Sequence, residues 1–564
     1  MTEKTDSVSH LDGKLFADMV RGGAAYLRSN AQAVNDLNVF PVPDGDTGDN
    51  MSMTIESGVN ALERMTSAEL GEIANQLAQG MLLGARGNSG VILSQLFAGM
   101  AKCFSGRSIA NVSVIGEALT EGVKAAYAAV LSPTEGTILT VAREATDYAV
   151  SRITPASTVA TFFSDLITEM SASLKRTPEI LAVLKEAGVI DSGGAGLFYV
   201  MEGFNRTLRG EVLPETEAAT PKPAAPTTDT ATFNEYSELE YGYCTEFLLQ
   251  LQVAKCDPSA FDMDALRAFL QTVGDSIVAF QTGTIVKVHV HTKTPEQVLG
   301  YCRKFGEFLT VKIENMSVQH SQTKTTDDKP DTSTEAAQEI APQVRKPYAV
   351  VAVACGDGIR ETFLSLGVDR IVNGGQTMNP SAQDFLDAFA TLHAEVIFVL
   401  PNNSNILLAA TQAARIYTDA AVIVLPSKSI GDGYAAMSAY DPNAQSTEEL
   451  FARMKEAMAD VCTGCITTSV RDANLNGVEI HTGDWIGFMG KQMLVANTDA
   501  LASAKALLEK MNAQKADAIT VFCGADAPED EIAALKAYLA ESTDAEVYCI
   551  QGGQEVYRYI FVVE

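Results

Sequence analysis

From Leu15 onward, apolar residues return every three or four positions. Leu15, Met19 and Leu27 do so, then Met51, Ile55, Val59 and Leu62, then Leu70, Ile73, Leu77 and Met81. Ile115, Leu119 and Val123 continue the pattern, as do Val159, Phe163, Leu166 and Met170. Such spacing lays one apolar stripe along a helix, which must then bury that stripe against neighbouring helices. Residues 13–208 therefore predict a bundle of roughly eight helices. The loops of an ordinary bundle need no special composition. Here they are rich in Gly, Ser, Thr and Asp, which points to a site at one end.

The densest of these loops runs Asn38-Val39-Phe40-Pro41-Val42-Pro43-Asp44-Gly45-Asp46-Thr47-Gly48-Asp49-Asn50-Met51. Pro41 and Pro43 stiffen the approach, and the glycines allow turns that bring carboxylates to one point. Mg²⁺ takes oxygen ligands and often bridges carboxylates to nucleotide phosphates, so Asp44 and Asp46 are its candidate ligands. A solvated acidic turn is the plain alternative for Asp-Gly-Asp alone.

Three further loops stand beside it. Gly84-Ala85-Arg86-Gly87-Asn88-Ser89-Gly90 opens a helix. Backbone N–H groups at a helix start cradle phosphate oxygens, and Arg86 can add a charge-assisted contact. A glycine-rich helix crossing explains the same residues without a ligand. Pro133–Thr140, with Thr137 at its centre, is either a capped helix start or a ligand contact. Asp191-Ser192-Gly193-Gly194-Ala195-Gly196 is the third loop. No Gly-Lys-Ser/Thr follows any glycine run, so a Walker A site is absent.

With these motifs in this order, residues 13–208 resemble the DhaL-type kinase domain, the ATP-binding half of dihydroxyacetone kinases. The Pro-Val-Pro form of the loop is similar to that of the catalytic subunit of bacterial fatty acid kinase. The resemblance implies an all-α eight-helix barrel with ATP and Mg²⁺ at one end. Asp44 and Asp46 then hold the metal, and Asn38 stands where dihydroxyacetone kinases carry a further aspartate. It also implies nucleotide contacts from Thr47, Gly48 and Asn50, from Gly84, Ala85, Gly87, Asn88, Ser89 and Gly90, and from Thr137, Asp191 and Gly193. Arg86 is the candidate for stabilising charge on the transferred group.

Residues 209–238 carry Pro214, Pro221, Pro223 and Pro226 among Ala, Thr and Glu, and read as a linker. Residues 239–320 predict the order β-α-β-β-α-β, a small α+β ferredoxin-like sandwich. Val286, Val288 and Val290 alternate there with Lys287, His289 and His291, giving one apolar and one polar face. His289 and His291 share a face, and Cys244 lies near the start of another strand candidate. These three form a candidate Zn²⁺ set with an open fourth position. Two exposed histidines with an unrelated thiol, or a Cys nucleophile activated by His, are the alternatives. Fatty acid kinase subunits share the Tyr-Cys-Thr-Glu and Val-His-Val-His motifs. Residues 321–346 read as a second polar linker.

In residues 347–564 short apolar strands, Tyr348–Ala354, Val396–Leu400 and Ala421–Leu425, each precede a helical pattern. That alternation predicts an α/β domain with a parallel sheet, whose strand ends carry ligand sites. The polar loops include Gly374–Thr377, Pro401-Asn402-Asn403 and Pro426-Ser427-Lys428-Ser429. Cys462-Thr463-Gly464-Cys465 is a lone Cys-x-x-Cys without a second pair nearby, against a zinc ribbon or redox role. Gly552-Gly553-Gln554 echoes Gly374-Gly375-Gln376 and suggests an internal duplication. This region resembles the C-terminal part of fatty acid kinase subunits, itself similar to DegV-type folds. In that family it is linked to recognition of the fatty-acid-binding partner.

Charge narrows the function. The formal net charge of −30 argues against nucleic acid and against docking on anionic membranes. No apolar run of about 20 residues is present to span a bilayer. The first residues have no apolar signal core, and nine cysteines are spread thinly, so a cytoplasmic protein is expected. The resemblance implies a homodimer that phosphorylates a fatty acid carboxylate on a separate DegV-type fatty-acid-binding protein. The product is an acyl phosphate for phospholipid synthesis. A dihydroxyacetone-type kinase acting on a small ketone and a nucleotide-regulated scaffold remain the alternatives.

Overall fold

The expected helices are present. The computed structural model describes residues 9–38, 45–63, 65–130, 132–211, 243–257, 261–282, 284–315, 345–375 and 379–564. Within residues 13–208 the helices are α1 (Gly13–Ser29), α2 (Ala31–Asn35), α3 (Thr47–Leu62), α4 (Leu70–Gly84), α5 (Gly87–Phe104), α6 (Val112–Ala129), α7 (Ile138–Ser151), α8 (Val159–Ile180), α9 (Ala182–Ala187) and α10 (Ser192–Leu208). Among the described residues, eight are long, and α2 and α9 are short connectors.

Side-chain caps start several of them by satisfying N–H groups that a helix leaves unpaired. Asp12 Oδ1 accepts from Leu15 N at 2.8 Å before α1. Asn111 Oδ1 accepts from Val114 N at 3.0 Å before α6, and Thr158 and Thr161 cap α8 reciprocally. The apolar stripes meet in one core that includes Phe16, Phe97, Phe104, Phe163 and Phe204. Neighbouring contacts run α3–α4–α5–α6–α7–α8–α10–α1 and back to α3, so the bundle closes on itself as a barrel. At the α1–α10 seam a Cβ on Gly203 would lie 2.6 Å from the Gly23 Cα. That close approach is the reason for small residues there.

The middle region has the expected order. Strand Tyr243–Leu251, helix Met263–Val273, strands Gly274–Thr282 and Ile285–Thr292, helix Pro295–Cys302 and strand Gly306–Asn315 follow one another. Spatially the sheet runs Gly274–Thr282, Ile285–Thr292, Tyr243–Leu251, Gly306–Asn315, antiparallel throughout, which is the ferredoxin-like arrangement. Val286, Val288 and Val290 are buried in one cluster with Leu266, Leu270 and Val298 of the two helices.

The C-terminal region begins as the alternation implied. A parallel sheet runs in space Ala421–Val424, Ala394–Leu400, Lys346–Ala354, Arg370–Asn373. Its parallel character ends at Val424. A second sheet follows, ordered Gln492–Asn497, Trp485–Met489, Cys462–Thr468, Tyr559–Val563, Ala518–Cys523, Glu546–Gln551. All its pairings are antiparallel except the last. Of its pairs, Trp485–Met489 and Gln492–Asn497 form a two-residue hairpin, which is necessarily antiparallel, while the parallel pair Ala518–Cys523 and Glu546–Gln551 is joined through helix Glu529–Ser542. Cys462 and Cys465 sit on one strand at an odd separation, hence on opposite faces, and neither is in a disulfide.

The helical and C-terminal regions pack as one compact unit, and the middle region is a second. In the first unit, Ala85 and Val91 at the start of α5 share an apolar cluster with Phe385, Ile406 and Ala409 of the C-terminal region. No described helix is long and apolar enough to cross a membrane.

Candidate functional site

The start of α3 carries the candidate metal ligand Asp46. Asp46 immediately precedes the helix but does not cap it with its own side chain. Asn35, at the end of α2, provides the cap, its Oδ1 accepting from Gly48 N at 2.7 Å. Its Nδ2 donates to Asp49 Oδ2 at 2.9 Å. Asn38 Oδ1 accepts from Thr47 Oγ1 at 2.8 Å and from Ser192 Oγ at 3.3 Å, joining α3 to α10. Asp46 Oδ2 accepts from Nδ2 of Asn379, in the C-terminal region. Asn50, in the first turn of α3, is buried, and its Oδ1 has no partner among the described residues. Asp44 lies outside the described residues.

The start of α5 forms the second wall. Gly84 and Gly90 serve packing: a Cβ on Gly84 would lie 2.2 Å from Ser57 Cβ, and one on Gly90 2.3 Å from Thr54 Oγ1, both in α3. Gly87 has φ +57, a left-handed conformation that favours glycine. Arg86 faces the C-terminal region, with Nη1 donating to the Asn379 carbonyl at 2.7 Å and lying 3.6 Å from Asp384. Asn88 and Ser89 line the cavity. Asn88 Nδ2 approaches Ser404 O and Asn405 Oδ1, each at 3.4 Å.

These walls enclose a cavity of about 760 Å³. That volume lies in the range of small-molecule sites. Of the candidate residues, Asn38, Asp46, Thr47, Asn50, Asn88, Ser89, Asp191 and Gly193 line it. Gly48, Gly84, Ala85, Arg86, Gly87, Gly90 and Thr137 do not. Thr137 instead donates its hydroxyl to Thr134 O at 2.7 Å beside the α7 start.

The facing wall comes from the C-terminal region. Asn402–Asn405 follow strand Ala394–Leu400, and Lys428 and Ser429 follow strand Ala421–Val424. Both loops leave the carboxyl ends of parallel strands, where such sheets place ligands. Asn402 adopts φ 56 and donates through Nδ2 to Val353 O at 3.0 Å. Sequence pattern points to these loops as polar but not to their meeting with the helical barrel. Asn35 and Asn379 escape it altogether. The one local signal for Asn379 is Asn-Pro-Ser ahead of the capping box Ser381/Asp384.

Mg²⁺ is a hard cation that takes oxygen ligands. The cavity end offers the Asp46 carboxylate, the Asn38 and Asn50 carboxamides, and the Thr47 and Ser192 hydroxyls. With the Asn50 oxygen, which has no partner among the described residues, this oxygen-rich set fits Mg²⁺. Among the described residues no cluster of His, Cys, Asp and Glu forms a metal site. In the middle sheet Cys244 pairs in register with His291, and Glu246 with His289. The side chains of Cys244, His289 and His291, on which the Zn²⁺ expectation rests, lie outside the described residues.

Asp191 caps α10 by accepting from Gly194 N at 2.7 Å. Burial pushes its carboxyl up to about 6, against the smaller opposing effect of the Gly194 and Ile138 N–H groups. An acid whose folded pKa exceeds its unfolded value holds more protons when folded. Its effect on stability is therefore neutral below about pH 4 and becomes a growing cost as pH rises toward 6. Asp191→Asn, which keeps a capping oxygen, is expected to remove that slope. Thermal unfolding from pH 4 to 8 should show the variant matching wild type at pH 4 and exceeding it at pH 8. Parallel curves would contradict this.

Comparison with known proteins follows the same division of the chain. A model for the DAK2 domain matches residues 41–206. The model for the middle domain of FakA-like fatty acid kinases matches residues 240–323, and its C-terminal counterpart matches residues 349–564. Protein YloV of Bacillus subtilis is 40% identical over 569 residues, covering 99% of this chain and 100% of that one. An uncharacterized protein of Staphylococcus haemolyticus is 39% identical over 566 residues, with 99% and 100% covered. Among solved structures, the chain is similar to the dihydroxyacetone kinase from C. freundii in complex with AMP-PNP and Mg²⁺ (TM-score 0.28, 19% identity, 37% of this chain and 36% of that). It is also similar to DegV, a fatty acid binding protein from Bacillus subtilis (TM-score 0.30, 12% identity, 39% and 99%).

Proposed function

Because the chain belongs to the FakA-like fatty acid kinase family, we propose that it transfers the γ-phosphoryl group of ATP to a fatty acid carboxylate. A separate DegV-type fatty-acid-binding protein carries that acid. The carboxylate oxygen attacks the γ-phosphorus, the bond to the β-phosphate oxygen breaks, and acyl phosphate and ADP leave. The acyl phosphate then feeds phospholipid synthesis. The observation that carries this reading is the cavity at the tip of the helical barrel, with Asp46 on one wall and Lys428 on the other.

The chemistry asks little of the protein beyond placement and charge. A carboxylate is ionised near pH 7, so no residue need remove a proton from the acceptor. What remains is alignment and charge stabilisation along the transferring group. Bound Mg²⁺ would supply positive charge to offset that of the phosphates. Asp46 is the residue to hold it, with Asn38 and Asn50 as oxygen neighbours and Asp44 as the expected second carboxylate. The N–H groups that open α5, at Asn88 and Ser89, are donors for phosphate oxygens, as helix starts are in general. Lys428 brings a cation from the facing loop. Arg86, through its bonds to Asn379 and Asp384, acts in this reading on the shape of the site rather than on the transferred group.

The test is a coupled assay for acyl phosphate with the full chain, Mg²⁺–ATP and a purified DegV-type protein loaded with fatty acid. Acyl phosphate is expected only when all three are present. Turnover of dihydroxyacetone with no carrier protein would move the assignment to a small-ketone kinase.

A further inference from the structure

Asn379 ties the C-terminal region to the start of α3. Its Nδ2 donates to Asp46 Oδ2, and its main-chain carbonyl accepts from Arg86 Nη1 at 2.7 Å. Arg86 and Ser381 add an antiparallel bridge beside it. Asn379 is only 1% exposed. Even so, its Oδ1 has no partner among the described residues, and neither has that of Asn50. Both carboxamides flank Gly87: a methyl there would sit 2.5 Å from Asn50 Nδ2 and 3.6 Å from Asn379 Nδ2. Buried carboxamide oxygens without a donor are costly in a neutral, dry site. A hydrated cation beside them removes that cost by supplying donors from its water.

We infer that Asn379 is a positioning residue of the metal–nucleotide site, contributed by the C-terminal region. Its amide holds the Asp46 carboxylate in the orientation that receives Mg²⁺. The C-terminal region thus completes the site on the helical barrel, in addition to any part in carrier recognition. The inference rests on the reading of Asp46 as the Mg²⁺ ligand.

The experiment is calorimetric titration of AMP-PNP, with and without Mg²⁺, into the full chain and its variants. Asn379→Ala is expected to weaken Mg²⁺-dependent binding at least tenfold while leaving binding in EDTA unchanged. Gln95→Ala is the control. It breaks another contact between the same regions, Gln95 Nε2 to Gln412 Oε1 at 3.2 Å, and should leave Mg²⁺-dependent binding within twofold of wild type. Should the alanine variant fold poorly, Asn379→Asp has the same size and sets a second carboxylate against Asp46. Mg²⁺ should then raise its unfolding temperature by more than it raises that of wild type. Wild-type affinity in Asn379→Ala, an equal loss in Gln95→Ala, or no extra Mg²⁺ stabilisation of Asn379→Asp overturns the positioning role and leaves the proposed activity standing. Absence of Mg²⁺-dependent nucleotide binding in wild type overturns both.

Discussion

Asp46→Asn is expected to slow acyl-phosphate formation by roughly 10³-fold, the size of effect seen when a preorganised charge-stabilising group is removed. The replacement keeps the volume, and its carboxamide oxygen can still accept from Asn379 Nδ2. It also leaves the cap of α3 intact, because Asn35 rather than Asp46 accepts from Gly48 N, at 2.7 Å. Fold and regional contact are thus preserved while one negative charge is lost. Thermal unfolding without Mg²⁺ should be close to that of wild type, and Mg²⁺–AMP-PNP binding should fall by at least a hundredfold. A rate within tenfold of wild type at saturating Mg²⁺ would show that Asp46 is not the residue that holds the metal.

Gly48→Ala carries the second large effect, and it acts through space rather than charge. A Cβ at Gly48 would lie 2.2 Å from the Ala31 carbonyl oxygen and 2.9 Å from its carbon and Cα. Those atoms are backbone of α2, so no side chain can rotate away. α2 and α3 must separate, which breaks the Asn35–Gly48 bond and shifts Asp46. Overpacking of this kind costs about 1–3 kcal/mol, and the lost cap adds about 1 kcal/mol. Denaturant unfolding should show that loss, together with weaker Mg²⁺–nucleotide binding. Gly300→Ala offers the opposite sign. Its methyl, on helix Pro295–Cys302, meets nothing within 4 Å, and alanine in a helix interior is favoured over glycine by about 0.5–1 kcal/mol. A Gly48→Ala protein as stable as wild type would show that the α2–α3 contact yields easily.

Much of this was legible from spacing alone. The three-and-four period from Leu15 to Met170 identifies the helical barrel, because a helix with one apolar stripe has few ways to hide it. Alternation at Val286, Val288 and Val290 identifies the middle sheet for the same reason at period two. The polar loop up to Asn50 marks one end of the barrel, and Asn38, Asp46, Thr47 and Asn50 do line the cavity. The glycine run Gly84–Gly90 was ambiguous. Gly84 and Gly90 turn out to be crossing points with α3, and Asn88 and Ser89 between them face the cavity. The crossing accounts for Gly84 and Gly90, and the phosphate-cradle proposal narrows to Asn88 and Ser89.

Local pattern by itself determined which segments are helix or strand and where oxygen-bearing side chains gather, because period, caps and turn residues act over a few positions. It also marked Asn402, Asn403 and Lys428 as loop residues after strands. Only the tertiary structure decided that those loops face Asp46 across one cavity, that Asn379 reaches Asp46, and that Arg86 turns toward Asp384. Those partners are some 300 residues apart in the chain. The enclosing contacts are carboxamides and carbonyls with no periodicity, and nothing in their own neighbourhoods encodes which distant wall they will meet.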